Sequence, residues 1–72
     1  MKHHIVGVML LLGTVDYIDN GVADVEITTS HHEIIYAALP VSLFPCKLKE
    51  GDMFYFEYLD GVTEIRCGEP GE

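Results

Sequence analysis

Positive charge is scarce in this chain. Twelve acidic residues face only Lys2, Lys47, Lys49 and Arg66, giving a formal net charge of −8 at pH 7. Binding to a nucleic-acid backbone depends on Lys and Arg displacing counterions from phosphates. Four scattered cations exclude a DNA-binding footprint and disfavour both RNA and an anionic membrane surface. A basic partner, or simple solubility, is compatible with the excess of carboxylates. The sequence also lacks a P-loop, a Gly-x-Gly-x-x-Gly turn, a Cys-x-x-Cys pair and any Ser-His-Asp pattern. Nothing in it cradles a nucleotide phosphate or builds a nucleophile by known spacing, so no catalytic residue and no cofactor is expected.

Long apolar runs are missing too. The longest, residues 5–12, falls far short of the ~20 residues that span a bilayer and is short for the core of a signal peptide. Cleavage after Ala23 would also remove the best hairpin in the chain and leave under fifty residues. The run reads as a buried strand of a cytoplasmic protein with no membrane association, a short buried helix being the alternative.

Apolar residues are nevertheless abundant: 49% of 72 residues, mostly Val, Ile, Leu, Phe and Tyr, with no Trp. These types suit a pleated surface. A chain of this length buries only about 60% of its unfolded surface. More apolar surface than so small a core can hide points to association with itself or with another protein.

Turn residues divide the chain into five strands. Asp19-Asn20-Gly21 ends the first. A two-residue Asn-Gly loop would set Val15 against Glu26 and mix core with solvent. A three-residue loop sets Gly13 against Ile27, Val15 against Val25 and Tyr17 against Ala23, and is therefore the expected register. Asp16 with Asp24, and Thr14 with Glu26, then face outward. Thr28–Glu33 reads as a polar turn and 34–39 as the third strand. Pro40 and Pro45 bracket one 3-10 turn, Val41–Phe44. Lys49-Glu50-Gly51-Asp52 launches the strand Met53-Phe54-Tyr55-Phe56. The last hairpin turns at Asp60-Gly61, pairing Phe56 with Ile65 and Phe54 with Cys67 on one face, Glu57 with Glu64 and Tyr55 with Arg66 on the other. The expectation is an all-β, five-stranded SH3-like, Sm-like or OB-like barrel over residues 1–67, closed by bringing first and last strands together, with 68–72 as a short acidic tail.

At this point two motifs carry a resemblance. Val15-Asp16-Tyr17-Ile18-Asp19 with Ala23 and Val25-Glu26-Ile27, followed by Pro40-Val41-Ser42-Leu43-Phe44-Pro45 and Lys49-Glu50-Gly51-Asp52, resembles a group of short bacterial proteins catalogued only as a domain of unknown function. The likeness covers about residues 14–56. It departs at Tyr17, where that group usually carries a basic residue, and at the longer apolar N-terminus. The resemblance implies a small barrel serving as an accessory domain and supplies no catalytic residue.

Candidate sites are few. His3-His4 and His31-His32 are adjacent pairs, and neighbouring side chains on a strand or turn diverge instead of converging on a metal. Asp16, Asp24 and Glu26 are the cation candidates, three hard oxygen donors on one hairpin face. They lack the looped spacing that wraps Ca²⁺, and repelling other sheet edges is an equal use for them. Cys46 and Cys67 are expected to be free, buried and reduced, because Cys67 falls on the inward face and two cysteines alone do not mark a secreted framework. A bridge between them would add about 3 kcal/mol. The best contact surface is the outward face of the last hairpin: Met53, Tyr55, Leu59, Val62 and Arg66, with a cation–π pair between Tyr55 and Arg66. The leading functional expectation is a non-enzymatic, self-associating interaction or assembly module. A Sm-like RNA-binding ring and an acidic decoy for a basic or nucleic-acid-binding protein are the alternatives.

Overall fold

The computed structural model describes residues 8–70, and burial from residue 11 onward. Five antiparallel strands form one sheet: β1 (Val8–Asp19), β2 (Val22–Thr29), β3 (Ile34–Pro40), β4 (Met53–Leu59) and β5 (Val62–Cys67), with a 3-10 turn at Val41–Leu43. Residues 8–12 are strand, as expected; residues 5–7 and the pair His3-His4 lie outside the described residues. The strand order is β3-β2-β1-β4-β5. β1 is thus central, paired with β2 and β4, and the expected pairing of first and last strands is absent from this order. Among the described residues the sheet is open, with β3 and β5 as its two edges.

Alternation along each strand separates the faces. Val15, Ala23, Val25, Ile27 and Phe54 are buried on the inner face, with Leu11, Ala37, Leu39, Phe56 and Ile65 packed around them. The segment from Pro40 to Asp52 must pass from one edge of the sheet to β4, beyond both β2 and β1. That passage fills the core: Phe44 is buried and meets Phe54 edge to face, with ring centroids 5.0 Å apart, and Val41 and Leu48 pack beside it. The connection covers the end of the inner face that an open sheet would leave wet.

The first hairpin combines the two registers weighed from the sequence. Gly13, Thr14 and Val15 face Ile27, Glu26 and Val25 as expected, but Tyr17 faces Asp24 and Ile18 faces Ala23, with a bulge between Val15 and Tyr17. Asp16 is the extra residue. The loop is therefore the two-residue Asn20-Gly21, both at positive φ (53° and 76°) as a type I′ turn requires. The bulge reconciles this turn with a buried Val15–Val25 pair, because it returns Ile18 to the core and turns Tyr17 to solvent. The expected pairs Tyr17–Ala23 and Asp16–Asp24 are corrected accordingly. The last hairpin has the expected register throughout, from Phe54–Cys67 to Leu59–Val62.

Candidate functional site

Two places on the sheet hold the residues singled out by the sequence, and the fold exposes a third. The first is the bulge. β4 pairs with β1 only as far as Thr14, and beyond it the Lys49–Asp52 turn takes over the β1 backbone. The Val15 N–H donates to the Asp52 carbonyl at 2.9 Å and the Gly51 N–H to the Val15 carbonyl at 2.7 Å. Past the bulge, the Ile18 N–H donates to Glu50 Oε2 at 3.0 Å. Asp52 holds the turn itself, accepting from the Lys49 N–H at 2.8 Å while its own N–H donates to the Lys49 carbonyl. Residues 15–18 and 49–52 thus meet in space, and what they build there is a backbone clamp. The cation candidates are not brought together: Asp24 lies opposite Tyr17, Glu26 opposite Thr14 and Tyr36, and Asp16 sits in the bulge. Among the described residues no group of three or more His, Cys, Asp or Glu side chains is placed to hold a metal ion.

The second place is the β4–β5 hairpin. Met53, Tyr55 and Leu59 share the outer face with Val62 and Arg66; Met53 and Tyr55 are half-buried, and Leu59, Val62 and Arg66 are exposed. Arg66 lies opposite Tyr55, but its guanidinium engages carboxylates, Nε donating to Glu57 Oε1 at 3.1 Å and Nη2 lying 3.2 Å from Glu64 Oε1. Its role is explained by the register: Glu57 and Glu64 oppose each other across the strands, a repulsive pair that one shared cation offsets. Cys67, at the end of β5, is joined to Cys46 in a disulfide with Cα atoms 6.5 Å apart. Both cysteines are exposed, so the expectation of free, buried thiols is overturned. The Phe44–Leu48 passage carries Cys46 back across the sheet to the β5 edge, an approach that strand alternation alone does not reveal.

The third place was missed by sequence reasoning. β3 is an edge strand of seven residues, Ile-Ile-Tyr-Ala-Ala-Leu-Pro, with no charged side chain and no bulge. Ile34 is 53% exposed, Ile35 46% and Tyr36 73%. The phase of its hydrogen bonds is fixed at both ends. The Thr29 N–H donates to the Glu33 carbonyl and the Val41 N–H to the Gly21 carbonyl, each at 2.9 Å. Hydrogen-bonded pairs alternate along an antiparallel ladder, so Ile35, Ala37 and Leu39 turn their backbone groups to β2. Ile34, Tyr36 and Ala38 therefore present theirs to the open edge. Pro40 falls in the same phase, where its missing N–H costs the sheet nothing. The available signal was an uncharged run between two turns, without the Lys or bulge that usually protects an edge. By contrast the other edge, β5, carries Glu64 and Arg66 and ends in the disulfide.

Compared with known proteins, the chain matches no family model, no curated protein and no solved structure. No helix among the described residues is long and apolar enough to cross a membrane.

Proposed function

We propose that this protein is a non-enzymatic interaction or assembly module that associates with copies of itself. The observation that carries the reading is the apolar surface remaining on the folded chain, where Ile34, Ile35, Tyr36, Tyr17 and Val62 are all exposed large side chains. So much apolar surface on so small a chain is what an interface leaves uncovered when its partner is removed. Light scattering during size-exclusion chromatography over a hundredfold concentration range tests it. A dimer or ring supports self-association, and a monomer at every concentration removes it. The Met53/Tyr55 face of the last hairpin is one surface available for the contact; Tyr55→Glu disperses an assembly built there, and unchanged mass removes that interface.

The resemblance to the short bacterial family belongs to the same reading, since of the residues that carry it Val15, Ile18, Glu50, Gly51 and Asp52 meet in hydrogen bonds of the β1 backbone that serve the fold. Closing this strand order into a barrel would bring β3 to β5 in place of the expected first and last strands, and the exposed Ile35 on the inner side of β3 is a residue such closure would cover. An RNA-binding ring is the second reading; absence of any retardation of oligo-U or oligo-A at low salt eliminates it. The decoy reading rests on the acidic surface and falls if no basic protein is retained. The cytoplasmic location expected from the sequence is weakened by the Cys46–Cys67 bond, because disulfides persist mainly in oxidising compartments. Counting thiols in rapidly alkylated protein decides: two free thiols restore the cytoplasmic reading, none favours an oxidising compartment.

A further inference from the structure

Resting on the proposal of self-association, we infer that the partner is a second copy bound edge to edge through β3, antiparallel, with Tyr36 on the two-fold axis. Three observations lead there. First, the strand is uncharged from Ile34 to Pro40, so two chains of net charge −8 meet along the one edge that brings no like charges into register. Second, the backbone groups that find no partner among the described residues belong to Ile34, Tyr36 and Ala38, by the phase set at Thr29–Glu33 and Gly21–Val41. These three positions are symmetric about Tyr36. Pairing Tyr36 with itself sets Ile34 against Ala38 of the partner subunit, and all three free N–H and C=O pairs of each chain find partners. Moving the axis to Ala37 sets Ile34 against Pro40, whose missing N–H leaves the Ile34 carbonyl without a donor. Moving it to Ile35 leaves Ala38 beyond the ladder. Third, the register about Tyr36 ends where the local structure ends: Pro40 falls opposite His32, which is in the left-handed turn region at φ 66° and offers no strand to pair.

The side chains agree with this axis. On the inner face it sets the half-exposed Ile35 against Ala37 of the partner subunit, a large residue against a small one, and continues the apolar inner surface from one sheet to the next. On the outer face the two Tyr36 rings become direct cross-strand neighbours, an aromatic pairing that favours antiparallel strands. This is strand addition with the same sequence on both sides, which closes on itself and stops at two subunits.

The test uses Ala38→Pro on the full chain. In the monomer this N–H points away from β2, so the variant keeps the β2–β3 ladder; in the dimer it removes a bond on each side and places a ring in the contact. The expected result is an assembled wild type and a variant that stays monomeric at a hundredfold higher concentration with an unchanged circular dichroism spectrum. Amide hydrogen exchange on the wild type reads the same contact without mutation. Exchange at Ile34, Tyr36 and Ala38 should slow at least tenfold as concentration rises through the association range. A wild type that assembles while these three amides exchange at the monomer rate overturns the β3 contact and leaves self-association standing. A wild type that stays monomeric overturns both. Should Ala38→Pro unfold, the exchange measurement alone decides.

Discussion

Gly13 lies in the middle of a strand, where glycine ordinarily weakens the ladder and packs nothing. The reason for it here is the ring of Phe54, its direct neighbour on β4. A Cβ at position 13 would stand 2.2–2.6 Å from three atoms of that ring, and Phe54 is fully buried with Phe44 and Phe56 packed at its edges. The ring has nowhere to go. Gly13→Ala should therefore destabilise by about 3 kcal/mol, the upper part of the usual range for overpacking. Urea unfolding checks it, together with the double mutant: in a Phe54→Leu background the same change should cost less than about 1 kcal/mol, because the obstructing ring is gone. Equal costs in both backgrounds would show that the ring is not the cause. Glu50 carries a smaller and cleaner prediction. Its carboxylate accepts the Ile18 N–H past the bulge. Glu50→Ala should cost about 1 kcal/mol, whereas Glu50→Gln, which keeps an acceptor oxygen, should recover most of it.

At the scale of elements, the disulfide ties the passage between β3 and β4 to the last strand across a sequence separation of 21 residues. In the chain-entropy model a loop of that size contributes about 3 kcal/mol, which for a chain this small corresponds to roughly 10–20 °C in Tm. Thermal unfolding with and without reductant should show that difference, and Cys46→Ser should reproduce the reduced value in either condition. The bond also marks a limit of reading by alternation. Strand positions were legible: the last hairpin follows from Asp60-Gly61 and its flanking apolar residues, and the buried core triplet Val15, Val25 and Ile27 follows from period two. What period two cannot convey is where an irregular passage runs, and Cys46 reaches Cys67 only because residues 40–52 cross the end of the sheet. The bulge at Asp16 was hidden for a related reason. Two registers each satisfied part of the pattern, and an inserted residue that satisfies both leaves no composition signal. Strand order was equally silent, since neighbouring hairpins say nothing of β1 lying between β2 and β4. The free β3 edge, which only that order exposes, could not have been chosen over the last hairpin from residues alone.

For the molecule as a whole, shape and charge act against each other. The Cα radius of gyration is 13.0 Å, with principal extents of 48 × 25 × 21 Å, against about 11 Å for a compact chain of this length. An open, elongated sheet spreads its apolar residues over both faces and an edge, which favours association. The net charge of −8 opposes it, since two copies must approach through each other's negative field. Salt screens that repulsion within a Debye length of about 10 Å at 0.1 M and leaves the apolar contact intact. Self-association should accordingly tighten between low salt and about 0.5 M, with the slope carried by the association rate. Nucleic-acid binding has the opposite sign, because added salt removes the counterion-release term that drives it. Sedimentation equilibrium of the protein alone across that range, with oligo-U retardation measured in parallel, separates the two readings by direction and does not depend on their absolute strength. Association that weakens with salt would mean that charge complementarity holds the copies together. In that case the contact would have to run through a cation, Lys2, Lys47, Lys49 or Arg66, and the uncharged β3 edge would be excluded from it.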